Sequence, residues 1–257
     1  MGPAVRAVFR ELLRRELEER YRGSLLGAAW LVLLPLLQLA VLALVFGALL
    51  PARATGGGEL PYAAFLALGL WPWNLLANAA NRGVTALTDN AALIGKVAVP
   101  HGLYVDSRVA ASTLIDLGGF VLVLLALLAF GVPLAASGLP AVLAALGVVA
   151  VLALALARLL AVLQVFLRDI AAVTGQGLVL LFFLTPVLYD RAVLPAAVAP
   201  WLALNPMVVP VESVRAAFSG LPVDWAALAT CALAAALLLL AAQTLLRRGR
   251  AHLEDFL

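Results

Sequence analysis

Few residues in this chain are of a type that does chemistry. It has one cysteine, Cys231, and two histidines, His101 and His252. That leaves no disulfide framework and no zinc cluster. Both histidines fall in segments far from Cys231, so no Ser/His/Asp or Cys/His arrangement forms either. A P-loop needs G-x-x-x-x-G-K-[ST], whose amides and lysine hold phosphates. The one Gly-Lys pair is Gly95-Lys96, with Asn90 five residues earlier and Val97 after it. The sequence carries no catalytic centre and no nucleotide site of that type. Nucleic-acid binding is excluded as well, because nothing outside the ends supplies a basic polar face.

Ionisable and polar side chains inside apolar runs are the more telling feature. Asn74, Asn78, Asn81 and Thr85 follow helical i, i+4, i+7, i+11 spacing and form one stripe. Such a stripe either joins helices by hydrogen bonds or lines a polar path. Asp116 lies about 12 Å into one span, and Arg158 about 15 Å into the next, at 1.5 Å per residue. A charge at mid-bilayer costs about 2.5–3.5 kcal/mol on insertion scales, so an Asp116–Arg158 ion pair is expected. Gln164 and Gln176 are read as helix glue. Glu212 and Arg215, at i, i+3, are read as a pair on one short helix.

Elements that could hold these groups follow from composition. The 257 residues are 65% hydrophobic and 12% charged, with a mean hydropathy of +1.10. A soluble domain runs at about 45–50% and 25%. A hydrocarbon core of about 30 Å needs roughly 20 apolar residues of helix. Six spans are expected, at 25–50, 62–81, 108–131, 140–167, 171–189 and 223–246, and Pro72 should kink the second. The six-span topology puts fourteen of the seventeen basic residues on the cytoplasmic side, leaving Arg53, Arg191 and Arg215 outside. Both termini then face the cytoplasm, and no secretory leader is read at the start. The external segment 190–222 contains Pro195, Pro200, Pro206 and Pro210, which suits short re-entrant helices better than a seventh span. The fold class is therefore all-α integral membrane, with 25–257 as a single transmembrane domain.

Residues 1–24 read as an amphipathic interface helix. Val5, Val8, Phe9, Leu12, Leu13, Leu17 and Tyr21 share one face, and Arg6, Arg10, Arg14, Glu18 and Arg22 the other. Glu11 with Arg15, and Glu18 with Arg22, are expected i, i+4 pairs. In the loop 82–106, Thr88 or Asp89 can cap a short helix over residues 90–94, stopped by Gly95 and Pro100. So short a helix must dock on something. Leu93, Ile94, Asn90 and Lys96 are read as its exposed face.

Several segments together resemble one family. RYRGSLLGAAWLVLLPLL, GLWPWNLLANAANRG, NAALIGKVAVP, VFLRD and FFLTPVLY followed by LNPMVVPVESVRAAF occur in order from Arg20 to Phe218. They are similar to the membrane (permease) subunit of polysaccharide ABC exporters, which move O-antigen, capsule or teichoic-acid polymers. The resemblance implies a homodimer in the bacterial inner membrane with two copies of a separate ATPase, which binds the ATP and Mg. It makes Asp89, Asn90, Leu93, Ile94 and Lys96 the ATPase-coupling residues, and Phe9, Leu13, Arg14 and Arg15 part of the interface helix beside them. A lipid-linked polysaccharide substrate brings in ring faces for sugar stacking. Candidate path residues are Phe46, Phe65, Trp71, Asn74, Asn78, Phe182, Phe183, Tyr189 and Phe218, while Tyr62, Trp201 and Trp225 fit an interfacial belt. The family commonly has a small or apolar residue near Arg158, so no role transfers to it. Arg158 is either half of a clamp or a receiver for the carrier's pyrophosphate. The same fold exporting a drug or another lipid is the nearest rival reading. A proton-coupled carrier is a further one, and a non-transporting scaffold is another.

Overall fold

The computed structural model describes residues 2–20, 23–42, 44–45, 60–94, 99–191, 199–249, 253 and 256. Every regular element among them is helical. α1 (Pro3–Glu19) begins on a proline, whose fixed φ suits a first helical turn. Val5, Val8, Phe9, Leu12, Leu13 and Leu17 are half-buried, and Arg6, Arg10, Arg14 and Glu18 are exposed. This is the expected amphipathic division, and α1 packs against α5 (Gly102–Ala129). The pairs along α1 differ from expectation. Arg14 meets Glu18 at 2.7 Å and Arg15 meets Glu19 at 3.3 Å, so Arg15 points away from Glu11. Arg22 lies outside the described residues.

Among the described residues four helices are long and apolar enough to cross a membrane: α3 (Tyr62–Gly83), α5, α6 (Leu139–Phe166) and α10 (Trp225–Arg248). α2 (Trp30–Leu42) and α7 (Ile170–Leu184) are apolar and shorter. Each falls on an expected span, with three boundary corrections. α2 begins at Trp30 rather than 25, after a tight turn over Gly27–Ala29. α5 begins at Gly102, well before 108. α7 stops at Leu184 rather than 189, because Thr185 is extended, with ψ 135°, ahead of Pro186. The residue before a proline is pushed out of the helical region. Between α7 and α10 lie two short helices, α8 (Ala199–Ala203) and α9 (Val208–Phe218). α10 opens with a side-chain cap, the Ala227 amide donating to Asp224 Oδ1 at 2.9 Å.

α3 is the central helix, packed on α5, α6, α7 and α9, and it runs unbroken through Pro72. The alanine-rich stretch of α6 belongs to the core: Ala153, Ala157 and Ala161 have no exposed surface. Gly83 is why α3 and α6 can approach so closely. A Cβ there would lie 2.4 Å from the Ala157 Cβ. Gln164 ties the tight turn after α6, donating to the Arg168 carbonyl at 3.0 Å and accepting from the Ala171 amide at 2.7 Å. The outer faces of α7 and α10 are greasy and open. Leu180, Phe183, Leu233 and Leu237 are all exposed, as a lipid-facing or subunit-facing surface is.

Arg215 does not pair with Glu212, whose nearest cation is Arg191 at 3.8 Å. It turns inward instead. Its guanidinium donates to the carbonyls of Phe65 (3.0 Å), Val187 (2.6 Å) and Pro186, and lies 3.5 Å above the Phe65 ring centroid. The carbonyls left unpaired where α7 ends find their donors there. Gly69 makes the room, since a Cβ would meet the guanidinium at 2.2 Å.

The Gly83 crossing sets a stability test. Gly83→Val should lower unfolding stability in detergent by about 1–3 kcal/mol, as overpacking does. Gly118→Ala, with nothing within 4 Å of the added carbon, should be neutral or slightly stabilising.

Candidate functional site

Glu16 lies on the apolar face of α1 and is only 4% exposed. Its two oxygens are taken by different helices. Arg82, in the last turn of α3, donates to Oε2 at 3.0 Å, and Arg108 of α5 donates to Oε1 at 3.0 Å. Arg108 also reaches Asp89, whose Oδ2 accepts from the Thr85 hydroxyl at 2.8 Å. Beside this, Arg15 donates to Asn90 Oδ1 at 2.7 Å, and the Asn90 amide donates to the Ala86 carbonyl at 2.8 Å. The buried Glu16 carboxylate thus faces two guanidiniums with both oxygens hydrogen-bonded, which is the condition for a buried charge to persist. The result ties α1, the end of α3, the following turn and the start of α5 into one piece.

That turn runs over Thr88–Asn90 and continues as α4 (Ala91–Ile94). Neither Thr88 nor Asp89 caps it. The Thr88 hydroxyl donates back to the Thr85 carbonyl at 3.0 Å, and Asp89 is held by Thr85 and Arg108. The expected exposed face is also corrected. Asn90 and Ile94 are buried and Leu93 half-buried, leaving Asp89 and Ala92 exposed. A helix of four residues cannot persist alone, so its apolar side docks on its own bundle. Lys96 lies outside the described residues. Phe9 and Leu13 are half-buried under the same assembly, and Arg14 is exposed beside it.

The expected Asp116–Arg158 pair is not formed. Arg158 makes a two-pronged contact with Asp106, Nε to Oδ1 at 2.8 Å and Nη2 to Oδ2 at 2.7 Å. Depth counted from Arg108 misses this, because α5 starts at Gly102 and an arginine side chain reaches toward water. Asp116 instead accepts from Asn78 Nδ2 at 2.8 Å and sits 3.5 Å from the Ser112 hydroxyl.

Asp116 thereby becomes part of a cavity of about 720 Å³ between α2, α3 and α5. Trp71, Asn74 and Asn78 project into it from α3, facing Gln38 of α2, with Arg20 and Trp30 near one end. Asn74 Nδ2 lies 3.5 Å from Gln38 Oε1. Gly119 lets the helices close on this space, since a Cβ there would sit 3.1 Å from Pro35 and 3.3 Å from the Trp71 indole nitrogen. Amides, a carboxylate and indole faces in one apolar wall suit a ligand with many hydroxyls and apolar ring faces. A further cavity of about 400 Å³ lies between α3 and α7, where Asn74 and Asn81 meet Trp73, Phe182 and Phe183.

The other candidate path residues separate from these. Phe218 is buried and edge-on to Phe120 at 6.4 Å, which is core packing. Phe65 is the seat for Arg215. The Tyr189 hydroxyl donates to the Phe183 carbonyl at 3.0 Å, bracing the end of α7. Phe46 lies outside the described residues. Sequence reasoning missed Glu16, Gln38 and Asp106. An acid at position 16 on the stripe of Phe9, Leu12, Leu13 and Leu17 was a readable signal. Gln38, a lone amide in the apolar run WLVLLPLLQLAVL, carried the same kind of signal as Gln164, and nothing comparable marked Asp106.

Comparison with known proteins gives one family. The model of the ABC-2 type transporter family matches residues 7–219. The chain is 34% identical over 220 residues to the O-antigen export system permease protein RfbA of Myxococcus xanthus, covering 83% of this chain and 80% of that one. It is 26% identical over 210 residues to an O-antigen export system permease protein RfbA of Klebsiella pneumoniae, covering 80% and 78%.

A double-mutant cycle checks the rearranged ion pair. Arg158→Gln and Asp106→Asn should couple by about 0.5–3 kcal/mol in unfolding, as contacting partners do. Arg158→Gln and Asp116→Asn should add independently.

Proposed function

This chain belongs to the ABC-2 type transporter family, and on that premise we propose that it moves a lipid-linked polysaccharide out of the cytoplasm. It works as a homodimer, with ATP bound and hydrolysed by two copies of a separate ATPase. The relatives' names support the substrate class. The observation that carries the reading is the cavity between α2, α3 and α5, where Trp71, Asn74, Asn78 and Asp116 put polar and aromatic groups along an otherwise apolar wall. A drug exporter needs no such row of amides.

In this reading α2 and α7 complete six spans, both termini face the cytoplasm, and α8 and α9 dip back from the outer side as a gate braced by Arg215. Asp89 and Ala92, the exposed residues of the turn, meet the ATPase. Nucleotide binding there favours the state in which the turn is pushed toward the membrane, and only that differential contact can shift the equilibrium. Because Glu16 binds α1 to α3 and α5, the push reaches two helices that wall the cavity. Trp71, Asn74 and Asn78 then bear on the sugar chain as it passes. Phe182 and Phe183 extend the same surface on the other side of α3.

Two outcomes check this. Asn74→Leu should cut polymer export at least about tenfold, the size of one lost charged-group or sugar hydrogen bond, with unchanged chain level in the membrane. Asn74→Gln should restore most of it. The purified complex should contain a stoichiometric ATPase whose activity rises with a lipid-linked glycan. An ATPase indifferent to the glycan but stimulated by amphipathic drugs would overturn the substrate assignment.

A further inference from the structure

At the same end of the molecule as α1 and the turn, a separate cavity of about 450 Å³ opens between the starts of α1 and α5, Arg158 of α6 and the end of α10. We propose that it binds the phosphate of an anionic phospholipid from the inner leaflet. This goes beyond the transport reading, and shares with it only the orientation of the chain.

The lining divides into two chemistries. Arg158, Gln243 and Arg247 offer donors, whereas Val5, Leu103 and Leu246 offer an apolar wall. An amphiphile with a charged head and a glycerol–acyl neck fits that division. The one carboxylate present, Asp106, has both oxygens engaged by Arg158 at 2.8 and 2.7 Å. Its charge is therefore matched, and Arg247 remains as the excess cation. Arg247 is exposed and makes no ion pair with a described residue. It stands in the last turn of α10, at the level where an inner-leaflet headgroup lies and where arginine is drawn to anionic lipid. Arg158 adds to its ion pair a fixed, planar set of donors that can turn remaining N–H groups toward a phosphodiester. Free phosphate fits the donors but leaves the apolar half of the lining unused. A protein segment is too bulky for a recess of this size.

The neighbouring residue provides the control. Arg248 carries the same charge in the same turn but does not line the cavity. The complex with its ATPase is placed in nanodiscs of phosphatidylethanolamine with a minor share of phosphatidylglycerol, then extracted, and the retained lipid is counted by native mass spectrometry. Arg247→Gln should retain about tenfold less phosphatidylglycerol, the effect of one charge-assisted hydrogen bond, with an unchanged unfolding temperature. Arg248→Gln should match the unsubstituted chain, and millimolar inorganic phosphate should not displace the lipid. Equal loss in both variants would mean diffuse surface attraction, and no loss in Arg247→Gln would mean no site. Displacement by inorganic phosphate would mean a free-anion site. Each of these three results overturns the proposal.

Discussion

Glu16 is an acid with almost no exposed surface on a helix that otherwise presents apolar residues inward. Burying a lone carboxylate is costly, so the fold must deliver cations to it, and it delivers two from two different helices. Losing either one leaves a buried carboxylate oxygen without its donor, at a cost of about 1–3 kcal/mol. The bond set therefore constrains where α1 lies, where α3 ends and where α5 begins. Asp89 and Asn90 join the same cluster through Arg108 and Arg15, so the turn carrying the exposed Asp89 and Ala92 inherits that rigidity. An amphipathic helix lying on lipid alone could slide. This one is pinned by charges to the helices that wall the main cavity.

Arg215 solves the matching problem at the far end. α7 stops early at Leu184, and a single guanidinium meets two carbonyls of the chain that follows, Pro186 and Val187, and the Phe65 carbonyl of α3 while covering the Phe65 ring. α3 meets α6 closely at Gly83 and seats the Arg215 guanidinium at Gly69, the two places where a side chain has been left out. Its polar stripe does not loosen this packing, because Asn78 spends its amide on Asp116. The groups lining the cavity are thus held by one another and do not wait as free ligands.

Much of this was legible in the sequence, for a physical reason. Runs of apolar residues long enough to cross hydrocarbon announce themselves by length: α3, α5, α6 and α10 are of spanning length, and α2 and α7 are shorter apolar helices on the other two runs. The i, i+4 spacing of Asn74 and Asn78 places them on one face whatever the neighbours are. Depth was less legible. Hydropathy marks where lipid stops, not where a helix stops, so the extra turns of α5 carrying Asp106 were invisible and Arg158 was assigned the wrong partner. Aromatic identity was equally silent: Phe218 packs in the core while Trp71 faces the cavity, and nothing in either residue says so. Arg215 has Glu212 one turn away, yet the carbonyls it serves become available only once α7 has ended and folded back.

The central claim is that α1 and the turn move as one body when the ATPase binds nucleotide. Spin labels at Arg14 and Ala92, both exposed, in a Cys231→Ala chain diluted with unlabelled subunits, report that separation within one protomer by pulsed EPR. A third label at the exposed Leu221, just before α10 begins, serves as the reference. The account predicts a constant Arg14–Ala92 distance with and without nucleotide, while both distances to Leu221 change together. A nucleotide-dependent shift between Arg14 and Ala92, with either one fixed relative to Leu221, would contradict it.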